Sequence, residues 1–177
     1  VFLTVMDRLP ERLATDLHAA FPDLVRTTQD GLYTGLRRLG NRPEEAKDLC
    51  QETYVRAFRA LSGYDRERIR DLRLRAWIWT IALNLGRNLA RERRRRPYPT
   101  PLDMEQPVSD PEPVDTAAWD RRLARLSVAQ RRAVVLRHVV GLSYEEVADS
   151  LGRPVGTIKA DVHRALGKLR QVMEEEG

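Results

Sequence analysis

The sequence predicts an all-α chain made of two small helical domains, residues 1–96 and 119–177, joined by an extended, proline-rich acidic linker over residues 97–118. Three observations carry that expectation. Apolar residues recur at helical spacing from roughly Glu11 to Leu39, Glu44 to Leu61, Leu72 to Arg95, Trp119 to Leu126 and Ala129 to Val140, while strand signals are scarce. Six of the ten prolines fall between Pro97 and Pro113, where each locks φ and interrupts any helix. Charge divides at the same boundaries. Residues 1–96 hold 20 bases against 13 acids, residues 97–118 hold five acids and no base, and residues 119–177 hold 11 bases against eight acids.

In the first domain, Glu44 to Leu61 wound as a helix stacks Ala46, Leu49, Cys50, Thr53, Tyr54, Ala57 and Leu61 on one side, as a core stripe. Its other side collects Asp48, Gln51, Glu52, Val55, Arg56 and Arg59. Such a mixed-charge stripe is either a solvated face or a docking surface, and Val55 at its centre hints at a protein partner. The next helix buries Leu74, Ile78, Ile81, Ala82, Leu85 and Leu89 and turns Trp77, Thr80, Asn84, Arg87 and Arg91 outward. Indole, amide and guanidinium groups on one surface suit single-stranded nucleic acid, where bases stack and arginines follow the phosphates. Trp77 as packing at a core margin is the other reading. Ahead of this face Gly63 opens a segment crowded with Arg66, Arg68, Arg70, Arg73 and Arg75, and behind it come Arg91 and Arg93 to Arg96. Like charges this dense repel one another, and a phosphate backbone would relieve that cost. The linker either holds two nucleic-acid contacts at a spacing or is a plain disordered tether.

In the second domain, Ser127 with Gln130 and Ser143 with Glu146 are capping-box pairs, each opening a helix. Gly152 supplies the left-handed conformation that ends the helix begun after Ser143, and Pro154 suits the start of the next. Two helices across a tight turn form a helix-turn-helix. In the second of them Val155, Ile158, Val162, Ala165, Leu166 and Leu169 share one face, and Gly156, Ala160, His163, Arg164 and Gly167 share the other. Small residues would let that outer face sink into a major groove, with Arg164 reaching a guanine edge and Lys159 and Lys168 flanking it for phosphates. An ordinary amphipathic hairpin with a solvated outer face has the same periodicity.

Composition narrows the function classes. A net charge of +5 and a pI near 9.8 favour an acidic partner, nucleic acid being the commonest. Cys50 is the only cysteine, and His18, His138 and His163 are scattered, so no disulfide framework, metal site or other cofactor is expected. No paired-carboxylate metal site, glycine-rich phosphate loop or nucleophile with a base is legible, so no catalytic residue is expected and the chain reads as a non-enzyme. There is no long apolar span for membrane insertion and no secretory pattern at the start, which makes a cytoplasmic chain the expectation.

The run from Ala46 to Leu61, AKDLCQETYVRAFRAL, resembles regions 2.1 to 2.2 of bacterial sigma factors of the extracytoplasmic-function (ECF) group of the sigma-70 family. Ala76 to Asn84, AWIWTIALN, resembles regions 2.3 to 2.4, and Leu126 to Leu169 resembles region 4. In that group a linker replaces the middle conserved domain of larger sigma factors. The resemblance implies a subunit that brings core RNA polymerase to promoter DNA and promotes melting, with the β′ clamp helices and β flap as polymerase contacts. It places Asp48, Gln51, Glu52, Val55, Arg56 and Arg59 on the clamp helices. Arg73, Arg75, Trp77, Thr80, Asn84, Arg87 and Arg91 would hold the non-template strand of the minus-10 element. Lys159, Ala160, His163 and Arg164 would enter the minus-35 major groove, with Arg153, Thr157 and Lys168 near phosphates. The acidic linker would run toward the RNA-exit path, and an anti-sigma factor is a further implied partner.

Two departures stand out. The loop between Leu61 and Trp77 is longer than usual in the group and lacks the customary aromatic shortly before the tryptophan. Asp161 stands where many members carry a base, and should weaken a phosphate contact or pair with a neighbouring cation. The alternative function is a free-standing helix-turn-helix regulator, but the first domain shows no ligand pocket, phospho-acceptor cluster or dimer helix of the kind such a regulator needs.

Overall fold

A computed structural model describes residues 2–95 and 114–176, and among them all regular structure is helical. The first half contains α1 (Phe2–Thr15), α2 (Leu17–Arg38), α3 (Pro43–Ser62), the short α4 (Arg66–Arg70) and α5 (Leu74–Arg95). The second contains α6 (Val114–Ala124), α7 (Val128–Val134) continuing into a π-helical turn (Val135–Val139), α8 (Tyr144–Leu151) and α9 (Val155–Glu176). Residues 97–113 of the acidic linker lie outside the described residues.

Local chemistry sets these boundaries. The helical pattern read from Glu11 to Leu39 is two helices, because Asp16 adopts an extended conformation with φ −146° and its carboxylate accepts from the Ala19 amide at 3.1 Å. A short acceptor at that position satisfies a donor that a helix start leaves orphaned, so the chain restarts there. Asp65 does the same for α4, accepting from the Arg68 amide at 2.8 Å, and Ile69 is buried beneath it. Part of the arginine-rich segment is therefore a short helix. α6 begins at Val114, ahead of the boundary expected at residue 119, directly after the last proline of the linker.

The two capping boxes of the second half form as expected. Ser127 Oγ accepts from the Gln130 amide at 3.2 Å, and Ser143 Oγ accepts from the Glu146 amide at 3.1 Å. In return Glu146 Oε2 accepts from the Ser143 amide at 2.8 Å. Gly152 closes α8 in the left-handed conformation at φ 62°, so α9 starts abruptly across the turn.

α5 is buried on two sides. Leu74, Ile78, Ala82 and Leu85 face the first half, packing with Leu9, Leu24, Leu32, Leu36 and Leu61. Ala76, Trp79 and Leu83 form a second buried stripe. The second half contributes to the same core, through Leu136, Leu142, Val147, Ile158 and Val162. The packing is tight at Gly35 of α2, where a Cβ would lie 2.5 Å from the Trp79 ring and 2.8 Å from a Val140 methyl. Glycine is required by that proximity. A smaller cluster of Leu123, Leu126, Val134, Val135, Ala165 and Leu169 ties α6, α7 and α9 together.

Candidate polymerase and nucleic-acid interfaces

On α3 the core side is buried at Ala46, Leu49, Thr53, Ala57 and Leu61, which fixes the helix rotation. Asp48, Gln51, Val55, Arg56 and Arg59 are exposed as a result, with Glu52 half-exposed beside them. Arg56 Nε donates to Glu52 Oε1 at 2.7 Å, one turn away. Val55 is 42% exposed, an apolar centre in a charged surround. That composition suits a protein surface better than a phosphate backbone. Behind it, burial pushes the Cys50 thiol up to about 11 and the Tyr54 phenol up to about 12, so both stay neutral near pH 7.

The outer face of α5 carries Trp77, Thr80, Asn84, Arg87 and Arg91. Trp77 is half-buried, and its ring meets that of Tyr64 at 6.2 Å between centroids and 56° between planes. The Arg68 guanidinium lies 3.7 Å over the other partner of that pair, the Tyr64 ring. Thr80 Oγ1 donates to the Ala76 carbonyl at 3.0 Å, so its hydroxyl hydrogen is used locally. Arg87 donates to the Asn84 side-chain oxygen. Across the seam between the halves Arg132 is partly buried, and that burial, helped by the positive charge of Arg87, lowers its affinity for a proton.

Arg73 and Arg75 have partners in the second half. Arg73 Nη1 donates to Asp149 Oδ2 at 2.9 Å, and Arg75 Nη2 donates to the Val140 and Gly141 carbonyls, each at 3.0 Å. Glu146 lies 3.8 Å from the other Arg75 terminal nitrogen. Ser150 adds a buried tie, its Oγ donating to the Ala76 carbonyl at 3.1 Å. These two arginines are thus separated in role from the rest of the α5 set: they bridge to α8 and the turn before it.

On α9, Ile158, Val162, Ala165 and Leu169 are buried, and Lys159, Ala160, His163, Arg164 and Lys168 are exposed on the outer side, with Thr157 and Arg153 half-exposed. One residue departs from its expected face, and Asp161, expected to weaken a phosphate contact or pair with a cation, is buried. Leu166 is 40% exposed and Asp161 is 4% exposed. Asp161 is buried because two arginines cover it: Arg153 Nη1 donates to Oδ2 at 2.5 Å and Arg164 Nη2 to Oδ1 at 2.7 Å. Burial works against its charge, but the two hydrogen bonds and the two positive charges outweigh it and hold the carboxyl below its ordinary range. Lys159 Nζ sits 5.6 Å over the Tyr144 ring, which steadies it at the edge of the same face.

Residues 24–96 match the family described as Sigma-70 region 2, and residues 116–169 match Sigma-70, region 4. The RNA polymerase sigma-E factor of Streptomyces avermitilis is 36% identical over 156 residues, an alignment covering 87% of this chain and 85% of that protein. This chain belongs to the sigma-70 family of RNA polymerase sigma factors. The ECF RNA polymerase sigma factor SigE of Mycolicibacterium smegmatis is 34% identical over 90% of this chain and 65% of its own length. Among solved structures, the sigma factor RpoE in complex with the anti-sigma factor NepR from Bartonella quintana superposes with a TM-score of 0.71 at 25% identity, covering 87% of this chain and 96% of that one.

As an ECF sigma factor the chain binds core RNA polymerase and promoter DNA, and directs transcription initiation. The region 2 match contains the α3 face and the α5 face, and the region 4 match contains α8 and α9 as far as Leu169. Tyr64 was not legible as part of this face in the sequence, where the customary aromatic was expected shortly before Trp77. The residue lies thirteen positions earlier, next to Gly63, and only the fold of α4 brings it to the indole. Among the described residues no helix is long and apolar enough to cross a membrane, and no group of three or more His, Cys, Asp or Glu is placed to hold a metal.

Proposed function

We propose that this sigma factor divides its work among three surfaces. Residues 1–96 dock on core polymerase and hold the melted minus-10 element, residues 119–177 read the minus-35 element, and the acidic stretch between them is a tether ending where α6 begins. On α3, Asp48, Gln51, Glu52, Val55, Arg56 and Arg59 meet the β′ clamp helices. On α5, Trp77, Thr80, Asn84, Arg87 and Arg91 hold the non-template strand, with Tyr64 extending the stacking platform. Arg73 and Arg75 join them when their bonds to the second half are released. On α9, Lys159, Ala160, His163 and Arg164 face bases, while Arg153, Thr157 and Lys168 adjoin phosphates, and region 4 meets the β flap.

The observation that carries this reading is the pairing of two different surfaces in one chain. The α9 face combines small Ala160 with the cationic Lys159, Arg164 and Lys168, which suits a helix entering a major groove. The α5 face offers a Tyr64–Trp77 aromatic pair beside arginines, as unstacked bases require. A duplex reader alone has no use for the second. The chain itself supplies no catalytic step, since the polymerase makes the phosphodiester bonds, and it acts in the cytoplasm. An anti-sigma factor is a further partner, as the solved complex of RpoE with the anti-sigma factor NepR suggests.

Run-off transcription with purified bacterial core polymerase and a genomic promoter library tests the reading. Transcripts starting downstream of a shared two-element motif only when this protein is added are expected. Tight duplex binding by the protein alone, with no core-dependent transcription, would instead identify a free-standing regulator.

A further inference from the structure

Asp161 is the only acid between Val155 and Lys168, the stretch of α9 that faces DNA in the proposed function. An acid there opposes phosphate binding, so its placement calls for a compensating role. Its side chain is 6% exposed, under an Arg153 side chain that is 34% exposed and an Arg164 side chain that is 60% exposed. Each carboxylate oxygen takes one arginine: Oδ1 holds Arg164 Nη2 at 2.7 Å and Oδ2 holds Arg153 Nη1 at 2.5 Å. Arg153 lies in the turn before α9 and Arg164 lies on the helix, so one carboxylate ties the turn to the reading face.

Arginine has five N–H donors, and a two-bond contact with the O6 and N7 of guanine needs only two of them. Arg164 therefore keeps a free donor pair while bonded to Asp161. A long side chain already held in one orientation loses less freedom on meeting a base than a solvated one. The carboxylate also cancels one of the positive charges that attract any duplex, whatever its sequence.

We propose that Asp161 is a specificity-determining positioning residue: it aims Arg164 at a guanine edge and Arg153 at the adjoining phosphate, and it lowers attraction to unrelated duplex. This rests on the reading of α9 as the helix that enters the minus-35 major groove. Orientation raises discrimination, and the negative charge suppresses background binding. Only the charge acts on affinity for unrelated DNA, which makes the two effects separable.

The test uses the full chain in two assays. Holoenzyme run-off from promoters randomised across the upstream element reads base preference, and titration of the full chain with an unrelated duplex at several salt concentrations reads background binding. Asp161→Asn, which removes the charge at constant size, should lower the guanine preference at one position about tenfold. It should also tighten unrelated-duplex binding and steepen its salt dependence by about one in log–log slope. Asp161→Glu keeps the charge but displaces the carboxylate by one methylene, so preference should fall while background binding stays put. This second variant carries the proposal if Asp161→Asn does not fold. Preference unchanged in the variant that folds would overturn it, and so would a loss of preference together with weakened binding to every duplex, the mark of a merely structural residue. Arg164→Ala separates this from failure of the underlying reading. If it leaves upstream-element preference intact, α9 is not the reading helix. If it abolishes preference at one position while Asp161→Asn does not, only the positioning role is lost.

Discussion

The arginines of α9 and those at the start of α5 are held in contrasting ways. Arg164 and Arg153 bond to a carboxylate on α9 itself, so their arrangement travels with the helix-turn-helix wherever that unit goes. Arg73 and Arg75 bond to Asp149 and to the carbonyls of Val140 and Gly141, which belong to the other half of the molecule. Their arrangement exists only while the halves touch. A reading surface supported from within is ready before it meets DNA. One supported from outside is conditional on the state of the whole chain.

The contrast can be broken most severely at Trp79. Its ring packs onto Gly35, where Val140 also closes in, and replacing a buried aromatic by alanine costs about 3–5 kcal/mol. Trp79→Ala should lower the unfolding free energy by that amount, read from denaturant unfolding followed by circular dichroism. Protection of α8 amides from hydrogen exchange should fall together with that of α5. Protection lost in α5 alone would show that the second half does not depend on the contact.

A smaller effect sharpens the difference between the two surfaces. Trp77→Ala should weaken binding of minus-10 single strand by about 1–3 kcal/mol while leaving minus-35 duplex affinity unchanged. Arg164→Ala should do the reverse, with a loss of about 1–3 kcal/mol confined to one base position. Potassium permanganate footprinting separates them, because only the first should leave the promoter unmelted in the holoenzyme. Equal defects in both assays would refute the division of labour. Smaller still is Arg73→Ala. Its pair with Asp149 is more than half exposed on both sides, so the change in unfolding free energy should stay within about 1 kcal/mol.

The smallest effect concerns reactivity. With its thiol pushed up to about 11, Cys50 carries little thiolate at pH 8, and the folded protein should react with iodoacetamide far more slowly than the unfolded chain. The sign follows from burial disfavouring the charged form. Alkylation should accelerate as pH rises toward 11 or as denaturant opens α3. Equal rates for folded and unfolded protein at pH 8 would place the thiol in solvent.

The parts of this structure legible in the sequence are those decided within a few residues. The Ser127 and Ser143 capping boxes, the left-handed Gly152 and, Leu166 apart, the buried stripe of α9 are such features, since donor, acceptor and helical phase lie close along the chain. The pairing of Asp161 with a cation was also legible, because Arg164 is one turn away. Its second partner was not, because Arg153 reaches it only through the fold of the turn. Trp79 belongs to neither stripe that a single amphipathic helix would show, and its burial depends on α2 and on Val140. The π-helical turn, where the Val140 amide bonds to the Val135 carbonyl at 3.0 Å, carries no residue pattern that marks it. Tyr64 likewise needed α4 to carry it to Trp77.

The core shared by Leu136, Leu142 and Val147 with Leu36 and Ile78 acts as a thermodynamic set point. α5 and α9 each have 22 residues, a length of about 33 Å. Promoter elements named for positions minus-10 and minus-35 are more than two duplex turns apart, over ~70 Å. The proposed function, in which each half reads one element, requires the halves to separate and expose that apolar surface. A partner that binds only the separated form then has its affinity scaled by the fraction of molecules separated at rest, tenfold for each ~1.4 kcal/mol of packing. Substitutions at the seam would therefore retune promoter response without altering a single residue that touches DNA.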